Sequence, residues 1–436
     1  MGITKRAVML IWAGSLLLLL GMLLHVSFGI FIMYNGIILG LCLLDLHITP
    51  KAEDFKVERV WKDMFEIGKE KTLSIKVRHS TGHKIFLQLQ DTIPAKMKYE
   101  HRSLSCICAP NEAATVAYTV CPMLRGNYDF GSIYVRYQGI LGLCTRQFQA
   151  DCSETIPVYP DLVPLKKYHL MARQRQLQKH DAAIHKVHGM GTDFQNLREY
   201  NTDDEYRKIN WTATARTNKL ITGVYDEEKS QNVIIAIDTG RSMMSAAGDK
   251  STLDYAIESA LVLAQVALDR GDRVGLVIFG EGVKFFLKPS KGAGQLNRIL
   301  DAVYALQPQY YESDFNELAA YLGIHERKRS LLCIFSKFAD EESPKELVGV
   351  LNPLNKKHAL LMISLLNPGL KKLRDLPAEK LQNIYMKAAA VHKLRTEHQV
   401  SFILNSLGFS NIVAEPKRLT PEVVNRYIIM KRQMKL

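Results

Sequence analysis

Three textures of apolar and polar residues follow one another along the chain. Ala7 to Leu24 and Val26 to Leu44 are almost wholly apolar, broken by His25 and Ser27, with Asp45 only at the far end. Each run matches the roughly 20 residues of a membrane-crossing helix, and the short link at His25-Val26-Ser27 predicts a tight helical hairpin. A secretory signal fits less well, because its apolar region is about 7–15 residues and leads to a small-residue cleavage site. From Phe55 to Pro160 the period changes to two: Thr72–Val77, Ile85–Leu89, Ala114–Val120 and Ser132–Tyr137 alternate apolar and polar positions between turn residues, which predicts a small antiparallel sandwich. Beyond Asn232 short apolar strands (Val233–Ile237, Arg273–Phe279, Ser330–Phe335, Ala359–Leu365) alternate with helical spacings, as in Thr252–Asp269, where Leu253, Ala256, Ile257, Ala260, Leu261, Ala264 and Leu268 share a face. Helical stretches are also expected at Gly294–Leu306, Phe315–Ile324, Pro344–Leu354, Leu381–Leu407 and Pro421–Gln433. That alternation predicts a doubly wound parallel sheet with helices on both faces.

The expected divisions are a transmembrane helical hairpin over residues 1–50, a β-sandwich over 51–160, a linking segment over 161–231 and an α/β domain over 232–436. Charge orients the hairpin. Lys5 and Arg6 precede the first apolar run, and Lys51, Lys56 and Arg59 follow the second, so the positive-inside rule puts both ends, and the domains after them, on the cytoplasmic side of the cell inner membrane. The formal net charge of +13 is spread along the chain without any nucleic-acid signature, and proximity to anionic lipid explains it more simply than nucleic acid does. Gly36-x-x-x-Gly40 lets helices pack closely but is common by chance in apolar segments. Seven cysteines without paired C-x-x-C spacing read as reduced residues, and Cys106-Ile107-Cys108 places two thiols on one strand face.

Chemistry concentrates in two places. The strand Val233–Ile237 ends in Asp238-Thr239-Gly240-Arg241-Ser242, a carboxylate and a hydroxyl where an open α/β sheet holds its ligands. Taken alone, a D-x-G-x-S is as readily an ordinary polar turn. Asp193 to Trp211 is dense in Asp203, Asp204, Arg198 and Arg207, and the interleaved arginines favour an ion-pair network over an acid–base dyad. His180, His185 and His188 lie in a polar segment that reads as a solvated linker, because a metal site needs a common face and a fourth ligand. A hydrolase built on Asp203, Asp204 and His188 is the enzymatic alternative, but the chain has no G-x-x-x-x-G-K-[ST], no G-x-S-x-G and no H-E-x-x-H, and Gly292-Ala293-Gly294 is too short to cradle phosphate.

The residues from about 190 onward resemble the DUF58 family of membrane-anchored proteins, whose C-terminal part is similar to a von Willebrand factor A domain. The resemblance rests on Phe194-x-x-Leu197-Arg198-Glu199-Tyr200, Asp204-x-x-Arg207-x-Ile209-Asn210-Trp211-x-Ala213-x-Ala215-Arg216, Asp238-Thr239-Gly240-Arg241-x-Met243, Gly271-Asp272-Arg273-Val274-Gly275-Leu276, Glu312-Ser313-Asp314, Arg329-Ser330-Leu331 and Val424-Asn425-Arg426-Tyr427. Arg125-Gly126-x-Tyr128 and Gly139-x-x-Gly142-Leu143 resemble the sandwich that precedes this domain in the family. The resemblance implies a von Willebrand A-like α/β domain and a non-enzymatic scaffold or adaptor acting with a MoxR-type AAA+ ATPase in assembly or maturation of protein complexes. A hydrolase, or a metal-dependent adhesion protein using the Asp238 loop, is the alternative.

A von Willebrand A domain surrounds Mg2+ with D-x-S-x-S, a Thr and a further Asp, the oxygen-rich shell that ion requires. Here Asp238 and Ser242 match, Gly240 removes one hydroxyl, Ser313 or Asp314 falls near the threonine, and Lys337 stands where an Asp is expected. An ammonium does not ligate Mg2+. Two arrangements follow: Lys337 pairs directly with Asp238 and leaves a metal-free interaction face, or Asp340 moves in and Asp238, Ser242, Asp314 and Asp340 keep a weaker Mg2+ site. The first is favoured, with no cofactor and with Asp238, Gly240, Arg241, Ser242, Ser313, Asp314 and Lys337 presented to a protein partner.

Overall fold

A computed structural model describes residues 2–23, 28–100, 103–110, 112–165, 167, 193–201, 204, 206–226, 230–247, 250–337, 344–377 and 380–433. It divides into two compact units, Met1–Asp161 and Leu162–Leu436.

The first unit carries two helices, Lys5–Leu23 and Phe28–Ile48, and three sheets. One sheet runs Gly2–Ile3, Cys144–Ala150, Ile133–Gln138, Ile85–Asp91, Leu104–Cys108; a second runs Phe55–Val60, Lys71–His79, Ala113–Pro122, Met97–Tyr99; Phe65–Glu66, Glu154–Tyr159 and Gly126–Phe130 form a third. Alternate residues turn inward, and Leu73, Ile75, Val77, Leu87, Leu89, Val120, Ile133 and Val135 close one apolar core. A buried ion pair ties two sheets together. The Arg59 guanidinium donates to both oxygens of Asp91 and to the carbonyls of Cys152 and Gly131, and Tyr118 donates its hydroxyl to the same carboxylate.

The expected transmembrane hairpin is overturned, and with it the placement of the chain as a multi-pass protein of the cytoplasmic membrane: among the described residues, no helix is long and apolar enough to cross a membrane. Counting apolar residues overlooked what the helix ends do. Asp45, read as the polar boundary of an apolar run, is fully buried, and its carboxylate accepts the backbone N–H groups of Leu141, Leu143 and Cys144 at 2.7, 2.9 and 2.9 Å. At the other end Thr4 donates its hydroxyl to the carbonyls of Gly142 and Leu143. Both helix ends therefore grip one glycine-bearing turn of the sandwich.

The second unit begins with an antiparallel hairpin, Asp193–Glu199 against Ile221–Asp226, which brackets a short helix, Trp211–Thr217, capped by the Asn210 side chain. Arg198 and Asp204 form an ion pair here at 2.5 Å. Asp203, His180, His185 and His188 lie outside the described residues.

The larger sheet of this unit consists of β1 (Asn232–Asp238), β2 (Arg273–Phe279), β3 (Val283–Ser290), β4 (Ser330–Phe335), β5 (Ala359–Leu365) and β6 (Ser410–Ala414), in the order β3-β2-β1-β4-β5-β6. All neighbours are parallel except β3, which runs antiparallel to β2 along one edge. The helices are α1 (Thr252–Asp269), α2 (Ala293–Val303), α3 (Phe315–His325), α4 (Pro344–Lys357), α5 (Pro368–Arg374), α6 (Leu381–Ser406) and α7 (Pro416–Gln433). One face of the sheet packs Ile234, Ala236, Leu332, Ile334 and Met362 against α3, α4 and α6; α1, which contacts α2 and α7, lies against β1 and β2. Central strands buried on both faces explain the continuous apolar runs in the sequence.

Two separated motifs meet in this fold. Gly271 takes φ +79° and turns the chain into β2, and the buried Asp272 beside it accepts the Tyr427 hydroxyl, the Lys431 ammonium and the Gln231 N–H. That carboxylate pins α7 to the start of β2.

Candidate functional site: a buried carboxylate at the sheet edge

Asp238 is the last residue of β1, between β2 and β4, where the strand order reverses and open sheets leave a crevice. It is fully buried. Its Oδ1 accepts the Gly240 N–H at 2.7 Å and the Ser313 hydroxyl, and its Oδ2 accepts the Ser336 hydroxyl at 2.5 Å. Burial pushes the carboxyl above its ordinary range, and the donors from Ser313, Ser336 and Gly240, with the nearby Lys284 charge, oppose that shift.

Gly240 makes this arrangement possible by having no side chain. A Cβ there would stand 2.1 Å from Ser313 Oγ and 3.1 Å from both Asp238 Oδ1 and the Tyr311 carbonyl. The hydroxyl missing at position 240 is thus replaced by one arriving from Ser313.

Asp238 thereby staples the 309–314 loop across the edge, and the backbone completes the join. Gln309 N–H donates to Thr239 O at 2.7 Å, Arg241 N–H to Tyr311 O at 2.8 Å, and Asp314 N–H to Gly280 O at 2.7 Å. The loop turns Tyr310 and Tyr311 outward, 80% and 56% exposed. Arg241 lies beside them, paired with Glu312 at 3.0 Å in an exposed contact.

The remaining expected site residues are placed differently. Lys337 does not pair with Asp238: its ammonium donates to Ser245 Oγ at 3.3 Å, and burial lowers its pKa against the opposing charge of Glu397. The two serine hydroxyls do the work expected of that ammonium. Asp314 is an N-cap; its Oδ1 accepts the N–H groups of Asn316 and Glu317 at 2.8 and 3.1 Å and starts α3. Ser242 stands in the short turn Arg241–Met244, where its carbonyl accepts the Ser245 hydroxyl. Asp340 lies outside the described residues.

One carboxylate and two hydroxyls converge, both hydroxyls donating to the carboxylate, and the octahedral oxygen shell of Mg2+ would have to be completed by other groups. Among the described residues, no group of three or more His, Cys, Asp and Glu is arranged to hold a metal ion. Sequence reasoning passed over Ser336, Tyr310 and Tyr311; the only signal for Ser336 was its position at the end of the strand beside β1.

Two curated relatives that the chain resembles carry names that state no activity. The "Uncharacterized protein YeaD" of Bacillus subtilis is 24% identical over 127 residues, 28% of this chain and 31% of that protein. The "Uncharacterized protein Rv1480" of Mycobacterium tuberculosis is 23% identical over 214 residues, 47% of this chain and 66% of that protein. The alignments thus span from about a third to just under two thirds of these relatives. A crystal structure of the conserved hypothetical protein BatB from Bacteroides thetaiotaomicron is 12% identical and covers 47% of this chain and all of that one, but its TM-score of 0.30 is too low to carry an argument. The segment from the first hairpin of the second unit into α6, residues 196–391, matches the family described as "Protein of unknown function DUF58".

Proposed function

We propose that this chain is a non-enzymatic scaffold or adaptor, that its second unit is von Willebrand A-like, and that the Asp238 edge is a metal-free protein-recognition face. The observation that carries the reading is the closed Asp238–Ser313–Ser336 network. A carboxylate whose oxygens are taken by internal donors is spent on shaping the loop that follows. The 309–314 loop joined to it presents Tyr310 and Tyr311, with Arg241 beside them from the turn after Asp238, residue types that dominate protein interfaces. A strand order with one antiparallel edge strand and an aspartate at the end of β1 supports the von Willebrand A likeness. The partner class comes from the family resemblance: a MoxR-type AAA+ ATPase, with the chain contributing to assembly or maturation of protein complexes.

The test is binding of the purified chain to the purified MoxR-type ATPase of the same organism, by interferometry with and without nucleotide. Tyr310→Ala with Tyr311→Ala should weaken binding at least about tenfold, a loss of about 1.4 kcal/mol, while EDTA changes nothing. Binding that requires Mg2+ at the chain, or that ignores both tyrosines and Arg241→Ala, overturns the recognition face; no association under any nucleotide condition overturns the partner.

A further inference from the structure

Glu397 is the most anomalous carboxylate in the second unit. It lies on α6, 6% exposed, and among the described residues neither of its oxygens has a hydrogen-bond partner. It faces a small cavity at the same end of the sheet as Asp238, lined by Ser364 from β5, Asn411 from β6, and Ser401 and Val400 from its own helix. Asn411 is committed to the Ser401 carbonyl and hydroxyl. The charged groups close enough to act on Glu397 are Lys337, from the segment after β4, and Lys393, one turn earlier on α6. A buried charge without hydrogen bonds is costly, and proteins remove that cost by protonating the group or by supplying a partner.

The partner at hand is Lys337. It follows Ser336, which holds Asp238, and its ammonium rests on Ser245 through a single long bond of 3.3 Å. Ser245 is itself tied to Thr252 and to the Ser242 carbonyl, so this contact reaches the loop that follows Asp238.

We propose that Lys337 is shared between Ser245 and Glu397, and that ionisation of Glu397 draws it off the turn that follows Asp238, coupling α6 to the Asp238 edge. Bare Glu397 oxygens and a Lys337–Ser245 bond are the arrangement of the protonated carboxyl. The signs follow from burial. Glu397 is held above the ordinary carboxylate range chiefly by desolvation, opposed by both lysines, so its proton is lost at higher pH than that of an exposed carboxyl. Lys337 is held below the ordinary lysine range, so the pair attracts only between the two titrations. The folded chain loses stability as pH rises from the unfolded to the folded value of Glu397, because the native state binds that proton more tightly.

The inference rests on the proposed recognition face and concerns its regulation, and its test needs no partner, so its failure is separate from failure of that function. Hydrogen exchange across residues 239–247, corrected for intrinsic chemistry, is followed from pH 4 to 9. The wild type should lose about tenfold in protection across one transition, the change carried by one pKa unit of coupling. Glu397→Gln should be flat and stay protected. Lys337→Gln should be flat at the lower protection, without the fall. Lys393→Gln should move the midpoint to higher pH, since one of two charges favouring the ionised carboxyl is gone. A flat wild-type profile, or a Glu397→Gln profile that parallels the wild type, overturns the inference. If Lys337→Gln fails to fold, the Glu397→Gln profile and the Lys393→Gln shift still decide it, because the first keeps the side chain's shape while removing its charge, and the second lies on α6, a turn from Glu397 and outside the Lys337–Ser245 bond.

Discussion

Asp45 in the first unit and Asp238 in the second are both fully buried carboxylates that close a turn, and they differ in who donates to them. Asp45 takes only backbone N–H groups, from Leu141, Leu143 and Cys144. Asp238 takes one backbone N–H and two serine hydroxyls. A backbone N–H is a donor and nothing else, whereas a hydroxyl rotates and accepts. The sandwich turn is therefore locked to a carboxylate, and the sheet edge can be rewired without moving the backbone. Glu397, with no donor among the described residues, is the limit of the series.

Deleting the acceptor should have the largest effect at both sites. Asp45→Ala and Asp238→Ala each remove the acceptor of three donors, two of them buried, at roughly 1–3 kcal/mol for each buried group left unpaired. Urea unfolding should register at least about 2 kcal/mol in each case, with hydrogen-exchange protection lost at 139–144 for the first and at 238–245 for the second. A cost under about 1 kcal/mol at either position would mean that water replaces the carboxylate there.

The asparagine variants sharpen the comparison. Asp45→Asn sets its NH2 against a backbone N–H and should cost about 2 kcal/mol. Asp238→Asn lets Ser336 rotate to accept, and should cost about 1 kcal/mol or less. Equal penalties would remove the distinction between the two sites.

Gly240→Ser separates the glycine's role from the metal question. Its Cβ would meet Ser313 Oγ at 2.1 Å, and an overpacked site of this kind loses about 1–3 kcal/mol. Combining it with Ser313→Ala should recover most of that loss, and neither variant should gain a Mg2+-dependent rise in Tm. A clear Mg2+ response in Gly240→Ser would show the closed network to be displaceable. The smallest stability change belongs to Tyr310→Ala with Tyr311→Ala, within about 0.5 kcal/mol, because these exposed rings support no core.

Legibility followed the range of the interaction. The strands Val233–Ile237 and Arg273–Phe279 and the helix Thr252–Asp269 were readable because continuous or periodic burial leaves its mark on neighbouring residues. The edge strand Val283–Ser290 was not, since its Lys284, Lys288 and Pro289 blunt an exposed edge and break the pattern. The apolar helices at the N-terminus were readable as helices, but the meaning of Asp45 was hidden in a turn nearly a hundred residues away. At the candidate site, position alone singled out Asp238, and Lys337 was assigned the wrong partner because charge suggested a pairing that distance does not supply.

By itself the sequence determined the helical and strand periods, the alternating α/β order of the second unit, the carboxylate at the end of its central strand, and the lost hydroxyl at Gly240. Tertiary structure decided which groups meet that carboxylate, that Asp314 caps a helix, that Lys337 rests on Ser245, and that Glu397 is buried without a partner among the described residues. The physical reason is that secondary structure follows from near neighbours in the chain, while a hydrogen bond between Asp238 and Ser336 exists only after β1 and β4 have paired and brought residues 98 positions apart into contact.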